Sequence, residues 1–196
     1  MLGAIDCSHI GIEKPGLYGD EYVNRKGYVS VQLNVQFVCN PDYIIHSVNA
    51  NWPGSVHDSR IWKTSNLYQS IQKPLYKDAV LLGDGGYANT PFLLTPFKHA
   101  NNDIERKFNH VHCRARVTIE QCFGQLKRRF PILHYGIRLK LESAPRVIIA
   151  CAVLHNIARY LATRMILIKF QMNTLQVMII FLLLSFVMMT LIMITS

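Results

Sequence analysis

The clearest hydrophobic pattern in the chain is a strict alternation of apolar and polar residues over 27–39. A period of two is typical of a strand with one buried face, so we predict a half-buried antiparallel strand here. The turn-forming segment Asn-Pro-Asp follows at 40–42, and the apolar run at 43–50 predicts the returning strand of a hairpin. An apolar strand at 3–12 precedes this pair.

Apolar positions at helical spacing predict three helices further along the chain, over 60–72, 108–133 and 144–162. Pro131 ends the second of them, because proline cannot continue a helix. Between the first two helices, the continuous apolar run at 78–84 predicts a strand buried on both faces. Strands followed by a buried strand with helices around it indicate the α/β class, with a mixed sheet flanked by helices.

The composition of the chain changes sharply near residue 165. No charged residue follows Lys169, and residues 177–194 are almost wholly apolar. At about 1.5 Å per residue, a helix of this run would nearly span the hydrocarbon of a bilayer. We therefore predict one domain over 1–164 and an apolar tail over 165–196, and the tail is a gene-model artefact, a membrane segment or a buried core helix.

The charge of the chain points to a polyanionic partner. Lys and Arg number 21 against 12 Asp and Glu, which gives a formal net charge of +9. Such an excess favours nucleic acid or an acidic membrane surface. The five cysteines are odd in number and contain no C-x-x-C pair, so they indicate neither a disulfide framework nor a zinc ribbon. A reducing interior is the expected compartment.

Three acidic residues lie on three different predicted elements. Asp6 falls within the first strand, Asp84 at the end of the buried strand and Glu120 in the middle of the long helix. Such groups can converge at the carboxyl edge of a sheet, where open α/β sheets form their crevices. Carboxylate oxygens suit Mg²⁺ or Mn²⁺, and two such ions can promote phosphodiester cleavage. Gly85 and Gly86 would then let the backbone pass close to metal and substrate.

A purely structural interpretation of each acid also stands. An aspartate at a strand end is commonly a turn former or a helix cap. Glu120 follows Arg116 by four residues, so the two could form a surface ion pair. The apolar neighbours of Glu120 in the segment VTIEQCF favour the functional interpretation.

Five segments of the chain match the motifs of a known family in sequence, order and spacing. They are AIDCSHI, GSVHDSRIW, LLGDGGY, RVTIEQCFGQLKRRFPIL and ACAVLHNIA. In sequence and spacing they resemble the DDE nuclease domain of PIF/Harbinger transposases and of the Harbinger-derived nucleases. The resemblance covers roughly residues 3–162. It implies an RNase H-like fold whose acidic residues bind a divalent metal cation, Mg²⁺ or Mn²⁺, for DNA strand cleavage.

The resemblance also implies roles for particular residues. It makes Asp6, Asp84 and Glu120 catalytic, and it adds Asp58 of the segment GSVHDSRIW to these three as a metal ligand. A helix N-cap is the alternative role for Asp58. The family usually has glycine where Cys7 stands in this sequence.

Basic residues surround Glu120 on the predicted long helix. Arg116, Glu120 and Lys127 share one helical face, which would set cations beside the metal site where phosphates must pass. A solvated helix face is the alternative for the cluster at 127–129. We predict that four residues contact nucleic acid: Arg114, Arg116, Lys127 and Arg128.

The family resemblance also bears on partners and location. Its members carry an N-terminal region, often with helix-turn-helix character, which we expect this chain to lack. Related domesticated nucleases work with a separate Myb-like DNA-binding protein, so we expect a similar partner and a nuclear location. A cytoplasmic location is an alternative, and a membrane location requires residues 170–196 to be genuine.

Three functions therefore remain open. The first is a divalent-metal-dependent DNA endonuclease derived from a transposase. The second is a catalytically inactive domesticated module that binds DNA or protein. The third is a tail-anchored membrane protein.

Overall fold

The computed structural model of the chain describes residues 3–13, 32–76 and 78–168. The chain divides into two units, residues 1–156 and 157–196. Within the described ranges, no helix is long and apolar enough to cross a membrane. The predicted tail lies outside the described residues from 169 onward, so its three interpretations stay open.

Five strands form one mixed sheet: β1 (Gly3–Gly11), β2 (Gln32–Cys39), β3 (Ile45–Pro53), β4 (Leu81–Leu82) and β5 (Leu93–Leu94). Their order across the sheet is β3-β2-β1-β4-β5. The first three pair antiparallel, whereas β4 pairs parallel with both β1 and β5. The predicted hairpin is β2 and β3, and the predicted mixed α/β sheet is confirmed.

The helices are α1 (Asp58–Lys63), α2 (Asn66–Ile71), α3 (Asp103–Arg129), α4 (Ile132–Tyr135) and α5 (Ala144–Ile168). The single helix predicted at 60–72 is two short ones, because the Ser65 hydroxyl accepts a hydrogen bond from the Tyr68 N–H at 3.1 Å and caps a new helix. Asn102 caps α3 in the same way, through the Glu105 N–H. As predicted, α3 ends just before Pro131.

The two faces of the sheet carry separate cores. Alternate strand residues such as Phe37 pack with Ile119 of α3 and Ile148 of α5, and we call this side the helix-α3 face. The intervening residues, such as Val38, pack with Trp62 of α1, and we call this side the helix-α1 face. Helices on both sides therefore hold the central strands in place.

The prediction that β2 is half-buried is wrong. Its polar residues Asn34 and Gln36 are only 1% and 4% exposed, although they alternate with the apolar ones. Both point to the helix-α1 face, where the Asn34 side chain donates to the carboxylate of Asp58 at 2.8 Å. Protein groups accept hydrogen bonds from both amide N–H groups, whereas the buried side-chain oxygen of Asn34 has no partner among the described residues.

Candidate active site

Asp6 lies on β1, and Asp84 lies two residues after the end of the neighbouring parallel strand β4. The ladder between β1 and β4 pairs Gly3 with Leu81 and Ala4 with Leu82. If the register is extended two residues past this ladder, Asp6 is level with Asp84, and neighbouring strands lie about 4.8 Å apart. This is the carboxyl end of the parallel pair, where ligands bind in open α/β sheets. The sheet therefore brings together two of the predicted acids.

Both carboxylate oxygens of Asp6 have partners within the protein. One accepts a hydrogen bond from the Cys7 N–H at 2.8 Å. The other accepts from the guanidinium of Arg116 on α3 at 2.7 Å. The two side chains of this ion pair are only 19% and 16% exposed, so water screens it poorly. Arg116 thereby joins the first strand to the long helix.

The surroundings of Asp6 raise the pKa of its carboxyl group above the usual value of 3.8. Burial is the largest cause, because it penalises the charged form. The positive charge of Arg116 and the bond from Cys7 lower the pKa, whereas the negative charges of Asp84 and Asp58 raise it further. The charges of two other aspartates and of one arginine therefore act on Asp6.

Asp84 occupies a turn that has room for a neighbouring group. Its carboxylate accepts a hydrogen bond from the Gly86 N–H at 2.9 Å, which closes a local turn. A Cβ added at Gly86 would lie 3.1 Å from the same oxygen, whereas one added at Gly85 would meet nothing within 4 Å. Gly86 thus keeps the carboxylate uncrowded, and Gly85 leaves open space beside it.

Asp58 is the first residue of α1, and the N-cap of that helix is His57. The N-cap role is therefore not the one that Asp58 has. Its carboxylate accepts from Asn34, whose side-chain N–H group also bonds the Val56 carbonyl at 2.9 Å. The acid that the sequence suggested as a metal ligand is thus oriented by a buried amide of the adjacent strand.

A buried polar network next to Asp58 was not predicted. Gln36 donates to the hydroxyl of Tyr87 at 3.4 Å, and that hydroxyl lies 3.5 Å from the Cys7 sulfur. Gln36 also donates to the backbone carbonyl of Asp58 at 3.4 Å. The only signal in the sequence was the run of amide residues on one side of β2, which the alternation alone assigned to solvent.

Glu120 lies on α3 one turn beyond Arg116. With 3.6 residues per turn, its side chain is rotated by about 40° from that of Arg116 and lies about 6 Å further along the axis. It is exposed, and among the described residues it has no hydrogen bond or ion pair. The surface ion pair with Arg116 that was the alternative role for Glu120 is not formed, since Arg116 contacts Asp6.

The acids do not form a ready-made metal centre. Across the ranges that the structure describes, no group of three His, Cys, Asp or Glu side chains lies close enough together to hold an ion. The chemistry of the donors nevertheless suits Mg²⁺ or Mn²⁺, because Asp6 and the two acids whose charges act on it are carboxylates. That Asp6, Asp84 and Glu120 share an ion remains a prediction.

The four basic residues predicted to bind nucleic acid differ in their surroundings. Arg114 and Arg128 are exposed on α3. The ammonium of Lys127 donates to the backbone carbonyl of His9 at 3.2 Å, and burial lowers its pKa. Arg116 is paired with Asp6. Two of the four are therefore available at the surface, and the other two bind β1.

Side chains on α3 form hydrogen bonds with β5 and with the segment that follows it. The imidazole Nε2 of His112, which is buried, lies 3.1 Å from the Leu94 carbonyl oxygen. The Asn109 amide accepts from the Phe97 N–H at 2.8 Å and donates to the Phe97 carbonyl at 2.9 Å. These contacts fix where α3 runs beside the sheet, and so where Arg116 and Glu120 can reach.

Several curated proteins are similar in sequence to this chain. Putative nuclease HARBI1 of Homo sapiens is 34% identical over 161 residues, which are 81% of this chain and 46% of that protein. The same protein of Bos taurus is 32% identical over an equal span. Protein ALP1-like of Arabidopsis thaliana is 30% identical over 170 residues, 79% of this chain and 42% of that protein.

The chain thus spans about half the length of the curated relatives that it matches, 46% in the human case. No solved structure matches it. The family model for the DDE superfamily endonuclease matches residues 5–156, which include Asp6, Asp58, Asp84 and Glu120. The chain therefore belongs to the DDE superfamily endonuclease family.

Proposed function

We propose that this chain contains the nuclease domain of a divalent-metal-dependent DNA endonuclease, with an RNase H-like fold. The observation that carries the proposal is the parallel register of β1 and β4, whose extension by two residues sets Asp6 level with Asp84 just past the carboxyl end of β4. Membership of the DDE superfamily endonuclease family supports the same chemistry. The name of the human relative contains the word nuclease, in agreement with the proposal.

Asp6, Asp84 and Glu120 would hold the metal, with Asp58 beside them. A divalent ion bound there would activate a water molecule and stabilise the leaving oxygen of a phosphodiester. The chain itself supplies the arrangement of the acids. Asn34 orients Asp58, and the Gly86 N–H orients Asp84, so two of the carboxylates are positioned before an ion arrives.

The substrate that we propose is DNA. Arg114 and Arg128 are exposed on the helix that also carries Glu120, and the chain has a formal net charge of +9. Phosphate contacts of this kind give affinity without sequence choice. A separate Myb-like DNA-binding protein would supply that choice, and the two proteins would act in the nucleus.

A second function is favoured by a specific observation. The described part of the chain holds no group of three acids close enough to bind an ion, and Arg116 already occupies Asp6. A domesticated module that binds DNA or a protein without cutting would tolerate that arrangement. The experiment must therefore separate cleavage from binding.

The test is nicking of supercoiled plasmid by the full chain across Mg²⁺ and Mn²⁺ titrations, with and without a DNA-binding partner. Replacing Glu120 by Gln keeps the size of the side chain but removes its charge, and we expect nicking to fall at least about a thousandfold. Glu142→Gln is the matched control, because Glu142 is exposed and lies outside the helices.

The outcomes separate the two functions. Metal-dependent nicking that survives undiminished in the Glu120→Gln protein would exclude the proposed mechanism. DNA binding with no nicking by the unmodified chain under any condition would favour the inactive module.

A further inference from the structure

Among the residues that the structure describes, Arg116 is the cation that forms an ion pair with Asp6. Its guanidinium lies 2.7 Å from Asp6, and the ion pair is largely shielded from water. The negative charges of Asp84 and Asp58 also act on Asp6, so this carboxylate feels two like charges beside the opposite charge of Arg116. The acids repel one another, and Arg116 offsets part of that repulsion.

We propose that Arg116 is a built-in counter-ion that occupies Asp6 in the metal-free protein and competes with a divalent cation for that carboxylate. This inference rests on the proposed function, because it takes Asp6 to be a metal ligand. It assigns Arg116 a charge-compensating role that differs from the contact with nucleic acid predicted from the sequence.

The geometry of the pair gives the reason for competition. A divalent ion coordinated by the Asp6 oxygen that Arg116 now contacts would lie within a few ångströms of the guanidinium. Two positive charges at that distance repel strongly in a site that water screens poorly. The guanidinium must therefore move away as the metal enters, and the freed cation then stands beside the place where a DNA phosphate would arrive.

The unsatisfied part of the Arg116 side chain supports this interpretation. Its Nε atom is buried, and within the described ranges it has no hydrogen-bond partner. A buried donor without an acceptor destabilises the folded protein. An ion pair with a structural role alone would be expected to avoid this cost. A side chain with an unbonded donor is less tightly held than a fully bonded one, as a displaceable counter-ion requires.

The experiment measures Mn²⁺ binding to the full chain by isothermal titration calorimetry, at about pH 8, well above the usual carboxyl range. Removing the positive charge with Arg116→Gln should lower the dissociation constant at least about tenfold. Arg116→Lys keeps the charge and should stay within about threefold of the unmodified chain. Asp6→Asn identifies the site, because it should weaken binding in every background.

Arg106→Gln is the matched control on the same helix. Arg106 forms an ion pair with Asp103 at 2.6 Å, but both side chains are exposed and lie at the start of α3. Its replacement changes the net charge by the same amount without touching Asp6. A dissociation constant unchanged by Arg106→Gln, beside a tenfold decrease in Arg116→Gln, would attribute the effect to the local charge.

A second measurement follows Arg116 in the unmodified chain, so its result does not depend on the folding of a variant. The Nε–H resonance of Arg116 can be followed by NMR in the unmodified chain while Mg²⁺ is added, with Arg116→Lys used only for assignment. Because this nitrogen is buried, its proton should exchange slowly with water in the metal-free protein. We expect exchange to accelerate as Mg²⁺ saturates, because the guanidinium leaves its shielded position.

The outcomes distinguish this inference from the proposed function. Saturable Mn²⁺ binding that depends on Asp6 but is equal or weaker in Arg116→Gln would overturn the counter-ion role and leave the metal site intact. An Arg116 resonance that ignores Mg²⁺ saturation would overturn it as well. No saturable binding by either protein would overturn the proposed metal-dependent function, and the inference with it.

Discussion

Asp6 and Asp58 are held by partners of different kinds on opposite faces of one sheet. On the helix-α3 face, Asp6 is paired with the charged guanidinium of Arg116 across 2.7 Å. On the helix-α1 face, Asp58 is bonded by the neutral amide of Asn34 at 2.8 Å. A charged partner can be displaced by another cation, whereas a neutral amide only orients its carboxylate.

The difference separates positioning from charge compensation. Asn34 sits on the strand next to β1 and is almost fully buried, so it fixes Asp58 whether or not a metal is present. Arg116 reaches from a helix and compensates the charge of an acid whose pKa is raised by burial. We therefore expect the two acids to respond differently to substitution.

The largest expected effect is on catalysis. Asp6→Asn should reduce metal-dependent nicking at least about a thousandfold, because this acid is level with Asp84 in the proposed centre. Asp58→Asn should reduce it by about ten- to a hundredfold, as expected of a supporting ligand. Single-turnover nicking rates of the two proteins provide the comparison. A greater loss of nicking activity in Asp58→Asn than in Asp6→Asn would mean that Asp58, and not Asp6, is the more important ligand.

The next largest effect concerns stability and tests the hydrogen bond from the neutral amide of Asn34 to Asp58. Asn34→Ala removes the donor to Asp58 and leaves a partly buried carboxylate without it, so we expect the free energy of unfolding to fall by about 1–3 kcal/mol. Urea denaturation measures the change. Asn51→Ala, at an exposed position of β3, should change the free energy by less than about 0.5 kcal/mol. Equal changes in both proteins would mean that the Asn34 bond contributes little.

Buried thiols provide a pH test away from the acids. On the helix-α3 face, burial raises the pKa of the Cys151 thiol from 9.0 to about 11. As pH rises above 9, the unfolded thiol loses its proton first, so stability is intact below about pH 9 and decreases between pH 9 and 11. The slope should be at most about 1.4 kcal/mol per pH unit for this thiol.

Thermal unfolding across that pH range measures the decrease, and Cys151→Ala should make it shallower. Replacing the exposed Cys113 by Ala should leave the pH profile unchanged. If stability decreases equally steeply in the unmodified chain, in Cys151→Ala and in Cys113→Ala, groups other than Cys151 cause the decrease above pH 9.

The smallest expected effect concerns two adjacent basic residues. Arg128 is exposed, so Arg128→Ala should lower the slope of log affinity against log salt by about one unit if it meets a phosphate. Lys127 donates to the His9 carbonyl and is partly buried, so Lys127→Ala should change the slope by less. Fluorescence anisotropy with duplex DNA at several salt concentrations measures both. A larger change for Lys127 would mean that it leaves His9 to bind DNA.

The sequence predicted those strands and helices in which the spacing of apolar residues is regular over many positions. The alternation in β2 and the helical spacing in α3 are sustained, so both elements were predicted, although α3 begins five residues earlier and ends four residues earlier than predicted. β5 was missed because only Leu93 and Leu94 pair, too short a run to show a period. The break between α1 and α2 depends on the single cap of Ser65, which apolar spacing does not reveal.

The acids of the site were visible in the sequence, but their partners were not. Asp6 lies within an apolar strand and Asp84 follows one, which is a local signal. The contact between Asp6 and Arg116 joins residues 110 positions apart, and the sequence offered Glu120 as a nearer partner. Which acid an arginine binds depends on how the helix packs against the sheet, and no local pattern specifies that packing.

The most direct test of the central claim is a crystal structure of the full chain soaked with Mn²⁺, with anomalous scattering used to locate the ion. We expect a manganese peak within about 2.5 Å of carboxylate oxygens of both Asp6 and Asp84, with the guanidinium of Arg116 moved away from Asp6. Glu120 should complete the site from α3. A crystal with manganese bound elsewhere, and with the Asp6–Arg116 ion pair intact at saturating Mn²⁺, would contradict the account.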